Sequence, residues 1–71
     1  MIKIGATYKH YKGNLYKVVA LAKHSETMED MVVYQSLYVG DFPLGQTWVR
    51  PVKMWNEIID GVQRFQEIKN K

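Results

Sequence analysis

The chain contains no cysteine. Neither a disulfide framework nor a thiolate metal site can staple the fold, so the core must hold it alone unless the chain oligomerises. No apolar run approaches the ~18 residues of a membrane-spanning helix. The opening Met1-Ile2-Lys3-Ile4-Gly5 lacks the long apolar region of a secretory signal. The cytoplasm, without membrane contact, is therefore the expected location. There is no glycine-rich phosphate loop, no carboxylate pair of recognisable spacing and no nucleophile motif. Internal repeats and low-complexity segments are also missing. His10 and His24 are the two histidines, and they have no fixed local spacing. With no cysteine to join them they make a poor metal site, and neither metal nor cofactor is expected.

What remains is short and aromatic. At 71 residues there is room for one domain, residues 1–71. A core of this size supplies about 3–5 kcal/mol. Apolar residues make up 46% of the chain and aromatics 13%, enough for a core rich in ring area. The net charge of +3 is mildly basic and favours weak attraction to nucleic acid without demanding it.

Turn residues at short intervals (Gly13-Asn14, Gly40-Asp41, Pro43, Gly45, Pro51, Gly61) favour short strands over long helices. Strands are expected at Thr7–Lys12, Leu15–His24, Met31–Val39 and Thr47–Arg50. Pro51 ends the fourth, since proline gives the ladder no donor. Alternation along the second strand puts Tyr16, Val18, Ala20 and Ala22 on one face and Lys17, Val19, Leu21 and Lys23 on the other. Pro51–Trp55 suits one helical turn with proline in first position, and Met54 and Trp55 would plug one end of the fold. Asn56–Ile59 and Val62–Ile68, joined by Asp60-Gly61, form the strongest hairpin signal. A helix over Val52–Ile68 is the competing assignment. Gly61 and the β-branched Ile58, Ile59 and Val62 weigh against it. The fold class is mostly β: about five antiparallel strands in a small SH3-like barrel or a strongly bent sheet, with at most one short helical turn.

Tyr8, Tyr11 and Tyr16 are interleaved with Lys9, His10, Lys12 and Lys17. Rings that stack on bases and lysines that neutralise phosphates make such a surface. The alternative is that alternate tyrosines enter the core while the lysines solvate the other face. His24-Ser25-Glu26-Thr27 mixes groups used in acid–base chemistry. Neighbours on a strand point to opposite faces, however, and form no triad. A turn whose Ser25 or Thr27 hydroxyl bonds the backbone is the simpler structure. Trp48 and Arg50 share a strand face, an indole beside a guanidinium that can stack a planar ligand and hold an anion. Otherwise Trp48 packs in the core and Arg50 pairs with Glu57 or Glu26.

The ordered strings Tyr8-Lys9-His10-Tyr11-Lys12-Gly13-Asn14-Leu15-Tyr16, Ala22-Lys23-His24-Ser25-Glu26-Thr27, Val32-Val33-Tyr34, Leu37-Tyr38 and Trp48-Val49-Arg50-Pro51 with Met54, and then Arg64-Phe65, resemble the short bacterial proteins grouped as domain of unknown function 1653. The resemblance runs from about Gly5 to Ile68. It implies a small, mostly β, stand-alone bacterial or phage domain and carries no activity with it. Its recurrent positions fall on His10, Tyr11, Lys12, Gly13, His24, Ser25, Glu26, Thr27, Tyr34, Trp48, Arg50 and Pro51. The Gly40–Gln46 loop departs from the pattern in being longer.

These readings converge on a binding module. One face is expected to gather His10, Lys12, His24, Glu26, Trp48 and Arg50 around a nucleic acid, nucleotide or modified nucleobase. Trp48 would stack, Arg50 and Lys12 would hold the anion, and His24 with Glu26 would contact polar edges. A protein-interaction module or homodimer is the alternative, because exposed Tyr and Trp serve it equally well. A small hydrolase with a histidine base is the least favoured, since so small a domain offers a groove rather than an enclosed pocket.

Overall fold

The computed structural model describes residues 1–69. Seven strands and one helical turn follow in chain order: β1 Thr7–His10, β2 Leu15–Lys23, β3 Asp30–Ser36, β4 Thr47–Pro51, α1 Val52–Trp55, β5 Ile58–Ile59, β6 Val62–Gln63 and β7 Phe65–Ile68. Five form one antiparallel sheet in the order β4-β3-β2-β1-β7, and β5-β6 is a separate two-stranded hairpin.

Period-two alternation explains which side chains enter the core. Tyr8 and His10 turn inward on β1 while Lys9 stays exposed. On β3, Val32, Tyr34 and Ser36 are buried in strict alternation. On β2 the alternation breaks. The register shifts between Val18 and Ala20, so Leu21 comes opposite buried Val32 and Ala20 opposite Val33. Beyond this bulge Ala20 and Ala22 leave the face expected from simple alternation and Leu21 joins it. One extra residue exchanges the two faces of a strand.

The core joins Tyr8, Val18, Val32, Tyr34, Trp55 and Phe65, with Ile2, Ala6, Tyr16, Trp48 and Val52 packed at its margin. Trp55 stacks on Phe65 with centroids 3.7 Å apart and planes 4° from parallel. Tyr8 and Tyr34 meet its ring edge-on at 5.3 and 5.0 Å, geometries that suit ring quadrupoles. The plug expected of Met54 and Trp55 is thus Trp55 alone, since Met54 is 39% exposed.

The mostly β class, with five antiparallel strands in one sheet and one helical turn, is as expected, while the barrel alternative and the undivided hairpin are corrected. The sheet is not closed into a barrel: β4 and β7 are its edges and do not pair with each other. Trp55, delivered by α1 directly after β4, reaches Tyr8, Tyr34 and Phe65 on β1, β3 and β7 and fills the interior from that side. The long second arm of the hairpin is also divided. Asp60 and Gly61 take the positive φ angles, 52° and 80°, of a tight hairpin turn, but pairing ends at Ile58–Gln63. Beyond Arg64 the chain leaves its partner, and Phe65–Ile68 pairs with β1. Burial of Phe65 in the aromatic core outweighs continuation of an exposed two-stranded ribbon. The helix over Val52–Ile68 does not form. Four residues are helical, with Pro51 as the N-terminal cap residue.

Candidate functional site

The core-facing sides of β2, β3 and β4 open at one end into a cleft of about 480 Å³. Its wall is mainly aromatic: Tyr16, Tyr34 and Trp48 from the strands, Tyr38 and Phe42 from the β3–β4 loop. Asn14, Gly40, Asp41 and Arg50 complete it. The register brings these groups together. Tyr34 lies opposite Trp48, Tyr16 opposite Ser36, and Arg50 is two residues beyond Trp48 on the same face. The loop is tied to the sheet by backbone bonds from Leu37 N–H to the Leu15 carbonyl (3.0 Å) and from Gly45 N–H to the Ser36 carbonyl (3.0 Å). A side chain at position 40 would place its Cβ 3.1 Å from the Tyr38 ring, so glycine there lets Tyr38 lie against the cleft.

Hydrogen bonds fix the ring orientations. The Trp48 Nε1–H donates to the buried Ser36 Oγ at 3.0 Å. Phe42 meets Trp48 edge-on, centroids 5.0 Å apart. The Tyr16 and Tyr38 hydroxyls are hydrogen-bonded at 3.0 Å. Burial pushes the Tyr16 phenol well above its ordinary range, and the bond to Tyr38 adds to the effect. Tyr16 therefore presents a neutral hydroxyl to the cleft at neutral pH.

Arg50 is the cation of the cleft. Its Nε–H donates to the Tyr34 hydroxyl at 3.1 Å, and its guanidinium carbon lies 5.4 Å from the centre of the Phe65 ring. One terminal nitrogen, Nη1, is buried without an acceptor. Among the described residues no carboxylate pairs with Arg50. The pairing with Glu57 considered for Arg50 belongs to Arg64 instead, at 2.6 Å. Three cations surround His10. Burial holds its imidazole below 6.5, and Arg50, Arg64 and Lys12 lower it further. The His10 Nδ1 accepts the Lys12 backbone N–H at 3.2 Å, an arrangement that requires the unprotonated nitrogen. The ring packs edge-on to Phe65 at 4.9 Å and to Tyr16 at 6.3 Å.

Of the six residues expected to form one face, Trp48 and Arg50 line the cleft. His10 lies behind it against Tyr16, and Lys12 is exposed on the adjoining turn. His24 and Glu26 lie elsewhere. They occupy the β2–β3 turn, at the opposite end of β2 from Tyr16, roughly 20 Å of strand away. There the His24 Nδ1 accepts the backbone N–H groups of Glu26 (3.2 Å) and Thr27 (3.3 Å), and Thr27 Oγ1 accepts that of Glu29 (3.2 Å). That segment is a self-bonded turn. Asn14, Tyr38, Asp41 and Phe42 line the cleft without having been singled out from the sequence. In the sequence Tyr34 stands out only as a recurrent family position, and Tyr38 only within a longer string. Alternation of Tyr34 with Ser36, opposite Trp48 and Arg50, is the signal that links Tyr34 to the site. Nothing local marks Asp41 or Phe42, whose position depends on how a ten-residue loop folds back.

An open antiparallel sheet, one helical turn plugging its core and an aromatic cleft at one end define a small β-rich domain. The chain belongs to the DUF1653 family, described as a protein of unknown function, whose model matches residues 6–67. It is similar to the crystal structure of a DUF1653 protein from Bordetella bronchiseptica, with 35% identity over 94% of this chain and 87% of that one and a TM-score of 0.81. No curated protein matches it.

Proposed function

We propose that this domain binds a planar, anionic ligand of the nucleotide class in the cleft formed by Tyr16, Tyr34, Tyr38, Phe42, Trp48 and Arg50. The observation that carries the reading is the guanidinium of Arg50. It is partly buried, bonded to the Tyr34 hydroxyl through one nitrogen, orphaned at another and without a carboxylate partner among the described residues. A desolvated, uncompensated cation is costly, and an anion entering the cleft offsets that cost. Aromatic walls supply stacking for a ring, about 1–3 kcal/mol per base. The volume of about 480 Å³ is within the usual range for small-ligand sites. Lys12, exposed on the β1–β2 turn, stands near enough to His10 to act on its charge and adds to the positive potential on that side of the domain. An NMR titration of the labelled domain with nucleoside monophosphates tests the reading. Shifts should cluster at Trp48, Arg50 and Tyr38. Arg50→Gln and Trp48→Ala should each weaken binding at least about tenfold with a well-dispersed spectrum retained. Undiminished binding in both variants would sink it.

A protein contact is the second reading. Exposed Val39 (76%), Leu44 (63%) and Phe42 (52%) on one loop support it. Sedimentation equilibrium distinguishes self-association from a monomer.

A further inference from the structure

Resting on the nucleotide reading above, we infer that the cleft is a guanine subsite, with Asp41 as the residue that selects the base. The cleft contains both signs of charge: Arg50 on β4 and Asp41 on the β3–β4 loop. The two form no ion pair with each other, and no hydrogen bond engages the Asp41 carboxylate among the described residues. A group can therefore sit between them. A simple anion such as inorganic phosphate suits Arg50 but is repelled by Asp41. The complementary ligand is a flat ring with acceptors on one edge and donors on another.

Guanine has that pattern. O6 and N7 are adjacent acceptors that match the fork of a guanidinium. N1–H and the 2-amino group are adjacent donors that match the two oxygens of a carboxylate. Adenine has a single acceptor beside its amino group on the corresponding edge and no paired donors for Asp41. Cytosine and uracil lack the paired donors: cytosine has its amino group beside two acceptors, and uracil has one N–H between two carbonyls. The ring faces then stack against the walls that Trp48, Phe42 and the tyrosines provide. Guanine arrives either as a free nucleotide or as an unstacked base of a single strand, and the recognition chemistry is common to both.

The test is a calorimetric titration of the intact chain with GMP, IMP, AMP, CMP and UMP, repeated with Asp41→Asn and Arg50→Gln. IMP keeps O6, N7 and N1–H and lacks only the 2-amino group. GMP should bind at least about tenfold more tightly than AMP, CMP and UMP, and more tightly than IMP. Asp41→Asn should bring GMP down to the level of IMP, and Arg50→Gln should weaken every purine. Two pentanucleotides, with guanine or adenine at the centre of a thymine tract, separate the sources. Preference for the guanine strand over GMP identifies a strand ligand, and the reverse identifies a free nucleotide. Equal affinity for all five mononucleotides, or a GMP-to-IMP ratio unchanged in Asp41→Asn, would overturn guanine selection and leave nucleotide binding standing. No binding by any nucleotide or strand would overturn both.

Discussion

The Ser36 hydroxyl accepts the Trp48 indole N–H in a place that water barely reaches, with Ser36 only 3% exposed. Replacing it with alanine leaves a half-buried donor unpaired. Ser36→Ala should lower stability by about 1–3 kcal/mol, read as a shift of the urea midpoint at constant slope. It should also broaden the Trp48 indole resonance. An unmoved midpoint would mean that Trp48 finds another acceptor. His10 is the second informative side chain. Its folded imidazole binds a proton more weakly than the ordinary 6.5, chiefly because it is buried, and next because Arg50, Arg64 and Lys12 face it. The unfolded chain therefore takes up the proton first as pH falls. Stability should be full above about pH 6.5 and decline below it, levelling only when the folded imidazole protonates too. His10→Gln should flatten the change in urea midpoint between pH 7 and 5, and equal slopes in the two proteins would exclude this role. From sequence, His10 was legible as a member of the tyrosine-rich strand. Its inward orientation was not, because alternation alone does not say which face is the core.

α1 has four residues and cannot be stable by itself. It exists because Pro51 stops β4, fixes the entry angle and allows Trp55 to reach the stack with Phe65. Its contribution is almost wholly that one ring. Trp55→Ala removes the one aromatic ring among the described residues that meets Tyr8, Tyr34 and Phe65 together. The expected loss of about 3–5 kcal/mol equals the stability of a core this size, about 3–5 kcal/mol. The variant should be largely unfolded at 25 °C, with collapsed amide dispersion. Trp48→Ala, at the core margin, should remain folded, and that contrast separates the structural indole from the cleft indole. The helical turn and the Asp60-Gly61 turn were readable because proline and glycine have fixed conformational consequences. The division of the hairpin at Arg64 was not readable. Whether Phe65–Ile68 continues with β5 or crosses to β1 is decided by tertiary burial of Phe65, which no local pattern encodes.

The whole molecule distributes its charge in a way that bears on its ligand. Lys3, Lys23, Lys53 and Arg64 are paired with Glu67, Asp30, Glu29 and Glu57. Lys9 and Lys17 are exposed on β1 and β2 between the inward Tyr8, His10, Tyr16 and Val18, so they point away from the cleft face. The mixture of lysine with tyrosine that makes the sequence look like a nucleic-acid surface is therefore folded apart along the strands: Tyr8 and Tyr16 go inward to the core and cleft, Lys9 and Lys17 outward, and only Tyr11 and Lys12 stay together on the exposed turn. Sequence composition alone shows the ingredients and not this partition, because the partition follows from strand pairing. Of the six residues of the expected face, strand pairing brings Trp48 and Arg50 together at the cleft, whereas His24 and Glu26 sit beyond the far end of β2. A protein that tracks a backbone needs a continuous row of cations, and each phosphate it neutralises steepens the salt dependence by about 0.7 in log–log slope for a single strand. A cleft with Arg50 inside and Lys12 on the adjoining turn should engage one or two phosphates. The affinity for a single-stranded ligand should then fall with a slope of only about −1, and lengthening the strand from five to fifteen nucleotides should add little beyond the statistical gain in sites. Fluorescence anisotropy across a salt series measures both. A slope steeper than about −3 would mean that the outward lysines carry the binding and the cleft does not.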